Sequence, residues 1–313
     1  MSEVAKMCPL VSIVCATYNQ ERYIAQCLDG LLMQKTDFEY EVIVNDDAST
    51  DSTPDIIREY ESRYDRLIGI YQERNLWSQG YSVFRTVLCP RIKGKYVAIC
   101  EGDDYWTDPL KLQKQVDYME THPEVSVCAT EGYVLNQSSG EIKPIYESKR
   151  VMFYLKDFLR SNPIYTLSTL SRVEWVFEYV KRIAPLHPRF LMGDYPLWLY
   201  MANKGPVALL KDKCFVYREQ EESASHSKSP YKQIDFFISA CDIRVYFNRL
   251  LNIGKSFMVY RKFRNVRREC KKIAKSSGVG FWSLYWYALK KMIFHSAARP
   301  SREIRKVVNE ILK

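Results

Sequence analysis

The feature that most constrains the fold is a regular alternation of short apolar runs with segments of helical periodicity. Apolar runs rich in Val and Ile are typical of strands that are buried on both faces of a parallel sheet. Five such runs occupy residues 10–17, 40–46, 67–72, 95–101 and 124–130. Helical spacing of apolar residues separates them at 23–34, 52–64, 77–92 and 108–122. The alternation predicts a doubly wound α/β layer with right-handed crossovers.

Two of these helices carry a start signal in the sequence. Pro54 follows Ser52 and Thr53, and Pro109 follows Asp108. Ser, Thr and Asp are preferred N-cap residues, and Pro is favoured at the first helical position. Helices are therefore predicted to begin at these two prolines.

Length and cysteine content limit the class of protein. A chain of 313 residues that is 47% hydrophobic can form one large domain with an appendage, or two domains. Its nine cysteines are odd in number and include no CxxC pair. This favours reduced thiols over a disulfide framework or a zinc ribbon. The first residues lack the pattern of a secretory signal, so a cytoplasmic location is expected.

Charge is distributed unevenly along the chain. From Lys228 onward there are 20 Lys plus Arg and 5 Asp plus Glu, a net charge of +15. The first 227 residues carry 26 and 32, a net charge of −6. The composition therefore predicts a mildly acidic domain at 1–227 and a basic helical region at 228–313, whose charge calls for a partner.

Polar clusters follow three of the predicted strands, at residues 17–19, 45–47 and 101–104. In sheets of this kind, ligands bind beyond the carboxyl ends of the strands. Two of the clusters hold adjacent acids, which repel one another unless a cation lies among them or water screens them. Three clusters at adjacent strand ends predict a shared binding crevice, although a solvated loop is the alternative for any one of them.

Several nucleotide-binding and hydrolase motifs are absent from the sequence. It contains no GxGxxG, GxxxxGK[ST] or GxSxG pattern. Without a glycine-rich cradle, another group must neutralise a bound phosphate. A divalent cation, Mg²⁺ or Mn²⁺, held by one or two carboxylates and by phosphate oxygens would do so.

Three segments resemble the nucleotide-sugar half of family 2 glycosyltransferases of the GT-A fold. They are VSIVCATYNQERYIAQCLDGLLMQ, EVIVNDDASTDST and GKYVAICEGDDYWTDPLKLQKQ. The resemblance covers about residues 9–130, weakens to about residue 226 and implies an acceptor half at about 131–227. It implies a mixed, mostly parallel GT-A sheet with helices on both faces. It also implies inverting transfer of a sugar from a nucleoside diphosphate sugar to an acceptor.

The resemblance assigns roles to residues at the strand ends. Asp103 and Asp104 match the acidic DxD motif that holds the metal and the diphosphate, here as Asp-Asp, with Glu101 as a third acid. Asp47 matches the residue that reads the nucleotide base, and Tyr18 matches the aromatic residue that stacks on the base. The nucleotide-sugar-binding residues implied in this way are Thr17, Tyr18, Asn19, Glu21, Asp47 and Asp103, and the metal ligands are Asp103 and Asp104.

The acceptor half is expected to supply a general base. Asp194 follows a glycine at the start of an aromatic helix in RFLMGDYPLWLYMANKG, a position that also suits an N-cap. The resemblance implies that Asp194 is the base. The other acids considered for this role are Asp212, in a predicted turn, and Glu219, Glu221 and Glu222.

Three basic residues are further candidates for the site. His226 lies in a Ser-rich loop, and the resemblance implies that a histidine beyond the last strand can complete the metal site. A solvated histidine is the alternative. Lys111 and Arg74 are candidates for contacts with phosphate.

The region after residue 230 is predicted to be helical, and its aromatic residues alternate with Lys and Arg. Its aromatic stretch, GFWSLYWYALKKMIF, has 15 residues with two lysines and is too short to span a bilayer. Such a segment suits an interfacial helix on an anionic membrane. Packing of the aromatic side chains on the catalytic domain is one alternative, and a nucleic-acid surface is another, although no nucleic-acid motif accompanies the charge.

The sequence thus predicts a metal-assisted inverting glycosyltransferase of cell-surface polysaccharide or glycolipid synthesis. Its partners would be a nucleoside diphosphate sugar, a saccharide or lipid-linked acceptor and the inner face of the plasma membrane. Two alternatives stay open: a sugar nucleotidyltransferase, and a non-catalytic nucleotide-sugar-binding module of an assembly complex. The first usually has a Gly-rich basic loop, which CATYNQERY does not provide.

Overall fold

The structure, a computed structural model, describes residues 8–145, 149–186, 190–220, 227–251, 253 and 257–295. The chain divides into two compact units, each built from several segments. The sheet unit comprises Met1–Tyr154, Pro163–Phe177 and Met201–Arg218. The helical unit comprises Leu155–Asn162, Glu178–Tyr200 and Glu219–Lys313. The predicted domain boundary after residue 227 stays a prediction.

One mixed sheet contains ten strands among the described residues. They are β1 (Val11–Thr17), β2 (Tyr40–Asp46), β3 (Leu67–Tyr71), β4 (Tyr96–Ile99), β5 (Tyr105–Trp106), β6 (Val127–Asn136), β7 (Ile142–Ile145), β8 (Met152–Phe153), β9 (Leu170–Arg172) and β10 (Val207–Glu219). The order is β3-β2-β1-β4-β9-β6-β10-β5, with β7 on β6 and β8 on β10. Strands β3, β2, β1 and β4 are parallel, and β9 is antiparallel to β4.

The α-helices of the described residues are α1 (Ile24–Leu32), α2 (Thr53–Arg63), α3 (Lys111–Thr121), α4 (Leu155–Phe158), α5 (Val173–Glu178), α6 (Tyr195–Lys204), α7 (Pro230–Leu250), α8 (Phe257–Ser277) and α9 (Phe281–His295). The mixed sheet with its helices confirms the predicted fold class, and α7 to α9 confirm the predicted helical region. Within the part of the chain that the structure describes, no helix has the length and apolarity that crossing a bilayer requires.

The core of the sheet unit follows the predicted pattern. Apolar side chains of β1, β2 and α1, such as Ile13, Val42 and Leu28, are fully buried in one cluster. Burying a side chain of this kind stabilises a fold by about 1.5–3 kcal/mol. The parallel strands are thereby fixed with their carboxyl ends at one edge of the sheet.

Two helix predictions are corrected by the structure. The segment 77–92 is not one helix: it contains a π-helical turn at Phe84–Leu88 and a 3₁₀ turn at Cys89–Arg91. Gly80 has a φ of 91°, a conformation that glycine adopts readily and that an α-helix excludes. Helix α3 begins at Lys111, two residues after the predicted Pro109. Before it, Asp108 Oδ1 accepts the Leu110 N–H at 2.8 Å in a separate turn.

The helical unit has its own core. Helices α7, α8 and α9 contribute buried residues to one cluster, including Ile234, Val266 and Leu284. Lys262 of α8 is buried beside its partner Asp242 of α7 in an ion pair. The apolar faces of the three helices are therefore directed at one another.

Candidate active site

Two loops at the carboxyl edge of the sheet, residues 18–21 after β1 and 47–53 after β2, are joined by reciprocal hydrogen bonds. The N–H donors and their acceptors are Asn19 to Ser49 Oγ at 2.8 Å, Gln20 to Thr53 Oγ1 at 2.8 Å, Glu21 to Asp51 Oδ2 at 3.1 Å, Thr50 to Asn19 Oδ1 at 2.8 Å and Ser52 to Glu21 Oε2 at 3.0 Å. Asn19 and Ala48 both have positive φ, at 51° and 62°. The side chains of Asn19 and Glu21 thus shape the loops that surround the predicted crevice.

Asp47 is buried and is held by the turn that follows β3. Its Oδ1 accepts the Leu76 N–H at 2.8 Å, and its Oδ2 accepts the Trp77 N–H at 3.0 Å. Its own N–H donates to Thr17 O at 2.9 Å. The carboxylate therefore fixes the position of the 75–77 turn relative to β1.

Two aromatic side chains next to these contacts face solvent. Tyr18 is 45% exposed, directly after Thr17, and Trp77 is 59% exposed. Aromatic rings that flank a polar crevice can stack on the π-face of any nucleobase. The exposure of Tyr18 is therefore compatible with its expected stacking on the base. Trp77 could stack in the same way, and the sequence did not single it out.

The acid loop, residues 101–104, lies directly against the end of β1. The Gly102 N–H donates to Ala16 O at 3.0 Å. A Cβ built at Gly102 would stand 2.8 Å from the Thr17 Cβ, closer than real Cβ atoms approach. Only glycine allows this approach, which brings the acid loop beside Thr17.

Asp104 is the buried carboxylate of the acid loop. It is 3% exposed, and its Oδ1 accepts the Arg218 N–H at 2.7 Å. Burial and the nearby Asp103 and Glu101 carboxylates raise the pKa of Asp104 well above its usual range, and Arg218 opposes this shift only in part. The surroundings of Asp104 therefore disfavour its charged form.

Arg218, at the end of β10, is a site residue that the sequence reasoning missed. Its buried guanidinium donates to Gln137 Oε1 at 3.4 Å and to Gln26 Oε1. The guanidinium carbon lies 4.9 Å from the ring centre of Tyr23 and 4.6 Å from that of Tyr105. These partners hold the Arg218 side chain, while its backbone N–H contacts Asp104 of the acid loop.

The chemistry of the acid loop fits a divalent cation. Carboxylate oxygens are the ligands that Mg²⁺ and Mn²⁺ prefer, and a cation would offset the burial and the repulsion that together raise the pKa of Asp104. Among the described residues there is no cluster of three or more His, Cys, Asp or Glu side chains arranged to hold a metal by themselves. A cation here would thus depend on one or two carboxylates, with phosphate and water oxygens as the remaining ligands.

Asp194, the expected base, belongs to the helical unit. It precedes α6, and its carbonyl accepts the Trp198 N–H at 3.0 Å, which places Asp194 at the start of the helix. Its side chain is partly exposed. The predicted position at a helix start is confirmed, and the catalytic role stays a prediction.

The structure places the other residues that the sequence offered as base, phosphate ligand or metal ligand in different surroundings. Asp212 lies inside β10 instead of in a turn, and its Oδ1 lies 2.6 Å from Lys114 Nζ. Lys111 is fully buried, with Nζ 3.9 Å from the ring centre of Trp106, so it is not placed to meet a phosphate from solvent. The expected roles of His226, Glu221 and Glu222 concern positions outside the described residues.

Comparison with known proteins identifies the family. Residues 12–170, about half of the chain, match the family model described as glycosyl transferase family 2. The chain is 39% identical over 222 residues to an uncharacterized protein of Mycobacterium tuberculosis, covering 69% of this chain and 61% of that protein. It is 30% identical over 223 residues to the putative teichuronic acid biosynthesis glycosyltransferase TuaG of Bacillus subtilis, covering 70% of this chain and 83% of TuaG.

Solved structures give the fold independently. Residues 1–349 of Staphylococcus aureus TarS, in complex with UDP-GlcNAc, superpose with a TM-score of 0.58 at 18% identity, covering 96% of this chain and 91% of that one. The mannosyltransferase PcManGT of Pyrobaculum calidifontis, with GDP-Man and Mn²⁺, has a TM-score of 0.55 at 15% identity, covering 97% and 84%. The fold is of the GT-A class, and the chain belongs to glycosyl transferase family 2.

Proposed function

We propose that the chain transfers a sugar, with inversion, from a nucleoside diphosphate sugar to a saccharide or lipid-linked acceptor. The observation that carries this proposal is the acid loop, which holds the buried Asp104 and lies at Gly102 against Thr17 and Gln20, at the end of β1 and in the loop after it. Family membership supports sugar transfer, and the names of TarS and PcManGT show that proteins of the same fold bind nucleotide sugars.

In this proposal Asp103 and Asp104 hold a Mg²⁺ or Mn²⁺ ion together with the donor diphosphate. A bound cation of this kind stabilises the negative charge that develops on a leaving diphosphate. Arg218 supports the arrangement by holding Asp104 through its backbone N–H. Tyr18 stacks on the base of the donor and Asp47 reads the base, while Thr17, Asn19 and Glu21 contact the nucleotide sugar. Asn19 and Glu21 also join the loops after β1 and β2 through their side chains.

The general base in the proposal is Asp194. Inversion by a single displacement requires a base to remove the proton from the attacking hydroxyl, on the side opposite the leaving group. Asp103 and Asp104 are assigned to the diphosphate, so a separate carboxylate is needed. Asp194 combines a helix start that holds it with partial exposure of its side chain.

We place the reaction in the synthesis of a cell-surface polysaccharide or glycolipid, at the cytoplasmic face of the membrane. The relatives support the pathway class, since TuaG is named for teichuronic acid biosynthesis. An Escherichia coli relative, 31% identical over 196 residues, is named as a glucosyltransferase that acts on a diphosphoundecaprenol-linked sugar.

A screen of nucleotide sugars tests the proposal. The protein is incubated with each donor, with and without Mg²⁺ or Mn²⁺, and released nucleoside diphosphate is measured. We expect release from at least one donor that depends on the cation and is lost in Asp104→Asn. The variant Asp117→Asn, at an exposed carboxylate of α3 that accepts a bond from Gln113, is the matched control. Production of pyrophosphate would instead indicate a nucleotidyltransferase, and donor binding without release would indicate a non-catalytic module.

A further inference from the structure

Helix α9 exposes two tryptophans on one side. Trp282 and Trp286 are 63% and 62% exposed, although they belong to a helix that contributes to a buried core. Residues four apart lie on the same side of a helix. Leu284 and Ala288 are fully buried on the opposite side, and the exposed Lys290 continues the tryptophan stripe.

The adjoining helix α8 carries the positive charge. The segment Phe257–Ser277 has eight Lys plus Arg and one acid, Glu269. The exposed basic residues of α8 are Arg264, Arg267, Arg268, Lys271, Lys272 and Lys275. Lys272 lies 3.4 Å from Glu269, and for the other five the described residues provide no carboxylate at ion-pair distance.

The basic residues and the tryptophans meet at the start of α9. Lys271 Nζ lies 5.9 Å from the ring centre of Phe281, whose ring centre is 5.0 Å from that of Trp282. We call Trp282, Trp286, Lys290 and the six exposed basic residues of α8 the docking face. It therefore combines two large aromatic side chains with net positive charge.

We propose that the docking face binds an anionic membrane surface. Tryptophan is enriched where the bilayer meets water, because its indole ring is apolar and its N–H remains hydrogen-bonded. Basic side chains in the same face are attracted to the phosphates of anionic lipids. An apolar protein partner would account for the tryptophans but would leave the exposed basic side chains of α8 unexplained, so charge complementarity favours an anionic membrane.

The orientation follows from the helices. A helix that presents aromatic and basic residues on one side, and buries its other side in protein, lies in the plane of the interface. Helix α9 thus contributes its tryptophans at the depth of the headgroups, and α8 contributes charge. Membrane binding requires neither a donor nor catalysis, so it can be tested independently of the proposed reaction.

Vesicle binding of the full chain tests the inference. The protein is mixed with vesicles of phosphatidylcholine alone or with about one third phosphatidylglycerol, and bound protein is separated by flotation. Binding is expected to the anionic vesicles, to weaken as salt rises, and to shift tryptophan emission to shorter wavelength. Equal binding to both vesicle types, or binding to neither, would overturn the inference.

Two sets of variants locate the binding surface. Trp282→Ser combined with Trp286→Ser is expected to weaken vesicle binding on the order of tenfold and to abolish the emission shift. Trp77→Ser removes an exposed tryptophan of the sheet unit and is expected to leave the affinity for anionic vesicles unchanged. If both changes weaken binding equally, the tryptophans of α9 are not the anchor.

The charge variants are Arg267→Gln, Arg268→Gln and Lys271→Gln in one chain. Each basic residue near an anionic surface contributes about a factor of five to binding, so a loss on the order of 100-fold is expected. The control chain carries Lys35→Gln, Arg66→Gln and Lys143→Gln, which remove the same charge from exposed positions of the sheet unit. Circular dichroism confirms folding of every variant. Tighter binding to single-stranded RNA than to anionic vesicles, or a change of oligomeric state in the tryptophan variant, would assign the face to another partner.

Discussion

The carboxylates of Asp47 and Asp104 are both buried at the carboxyl edge of one sheet, yet their surroundings differ. Asp47 accepts one backbone N–H on each oxygen, from the turn after β3. Asp104 accepts the Arg218 N–H and lies among other acids, and burial raises its pKa. The first carboxylate stabilises the fold that surrounds the site. The surroundings of the second disfavour its charged form, a perturbation that is common at functional sites.

The largest effect is expected at Asp104. Asp104→Asn should lower sugar transfer by about 10³-fold or more, because in the proposed mechanism it removes a ligand of the cation that stabilises the leaving group. Product formation from a saturating donor measures the loss. Activity at the parental level in this variant would remove the acid loop from the mechanism.

The same variant should be more stable than the parent at neutral pH. Because the pKa of Asp104 is raised on folding, the folded state binds more protons, and stability falls as pH rises through the raised pKa. Asp104→Asn should therefore raise the melting temperature at pH 7 without divalent cations. The difference in melting temperature between the variant and the parent should become smaller toward pH 4, because the Asp104 carboxyl is then partly protonated in the unfolded chain as well.

The second effect concerns Asp194. Loss of a general base typically costs about 10²–10⁴-fold in rate, so Asp194→Asn should lower turnover by that factor and leave donor affinity nearly unchanged. Single-turnover rates and calorimetric donor binding separate the two quantities. Asp212→Asn, at a carboxylate that already pairs with Lys114, should transfer sugar at the parental rate. Loss of activity in the Asp212 variant alone would mean that the base is misassigned.

A third effect tests the difference between the surroundings of Asp47 and those of Asp104. Asp47→Asn should lower the free energy of unfolding by about 1–3 kcal/mol, because the amide nitrogen cannot accept one of the two N–H bonds. Urea denaturation measures the change, with Asp65→Asn at an exposed position as the control. The same substitution thus has opposite effects on stability at positions 47 and 104. Stabilisation at both positions would show that the N–H bonds of Asp47 do not compensate its burial.

The smallest effect involves a buried cation. Burial lowers the pKa of Lys111 to about 8, and Gln115 Oε1 accepts its hydrogen bond at 2.8 Å. The unfolded lysine then binds more protons than the folded one above this pKa, so stability rises with pH. From pH 7 to pH 9 the parent should gain about 1 kcal/mol relative to Lys111→Met. Parallel stability curves for the two proteins would mean that Lys111 titrates normally.

The sequence predicted those parts of the fold and site that depend on local patterns. β1 to β4 coincide with apolar runs, and the three polar clusters lie where such runs end, so the sequence pattern was sufficient to find them. Arg218 carries no local signal, because its contact with Asp104 joins residues 114 positions apart. β5 has two residues and exists through its pairing with β10, so it lacks a pattern of its own. The turn that holds Asp47 was missed for a different reason. Its residue Trp77 was assigned to a helix by the helical spacing of residues 77–92, and that spacing does not reveal the positive φ of Gly80.

The close approach of Gly102 to Thr17 has a further consequence. The loop that is proposed to hold the diphosphate and the loop that is proposed to hold the nucleoside rest on one another with no side chain at Gly102 to separate them. The hydrogen bond from the Gly102 N–H to Ala16 O fixes the distance between the acid loop and the end of β1. Under the proposed roles, this spacing would select donors by the distance between base and phosphates, and a side chain at position 102 would increase the spacing.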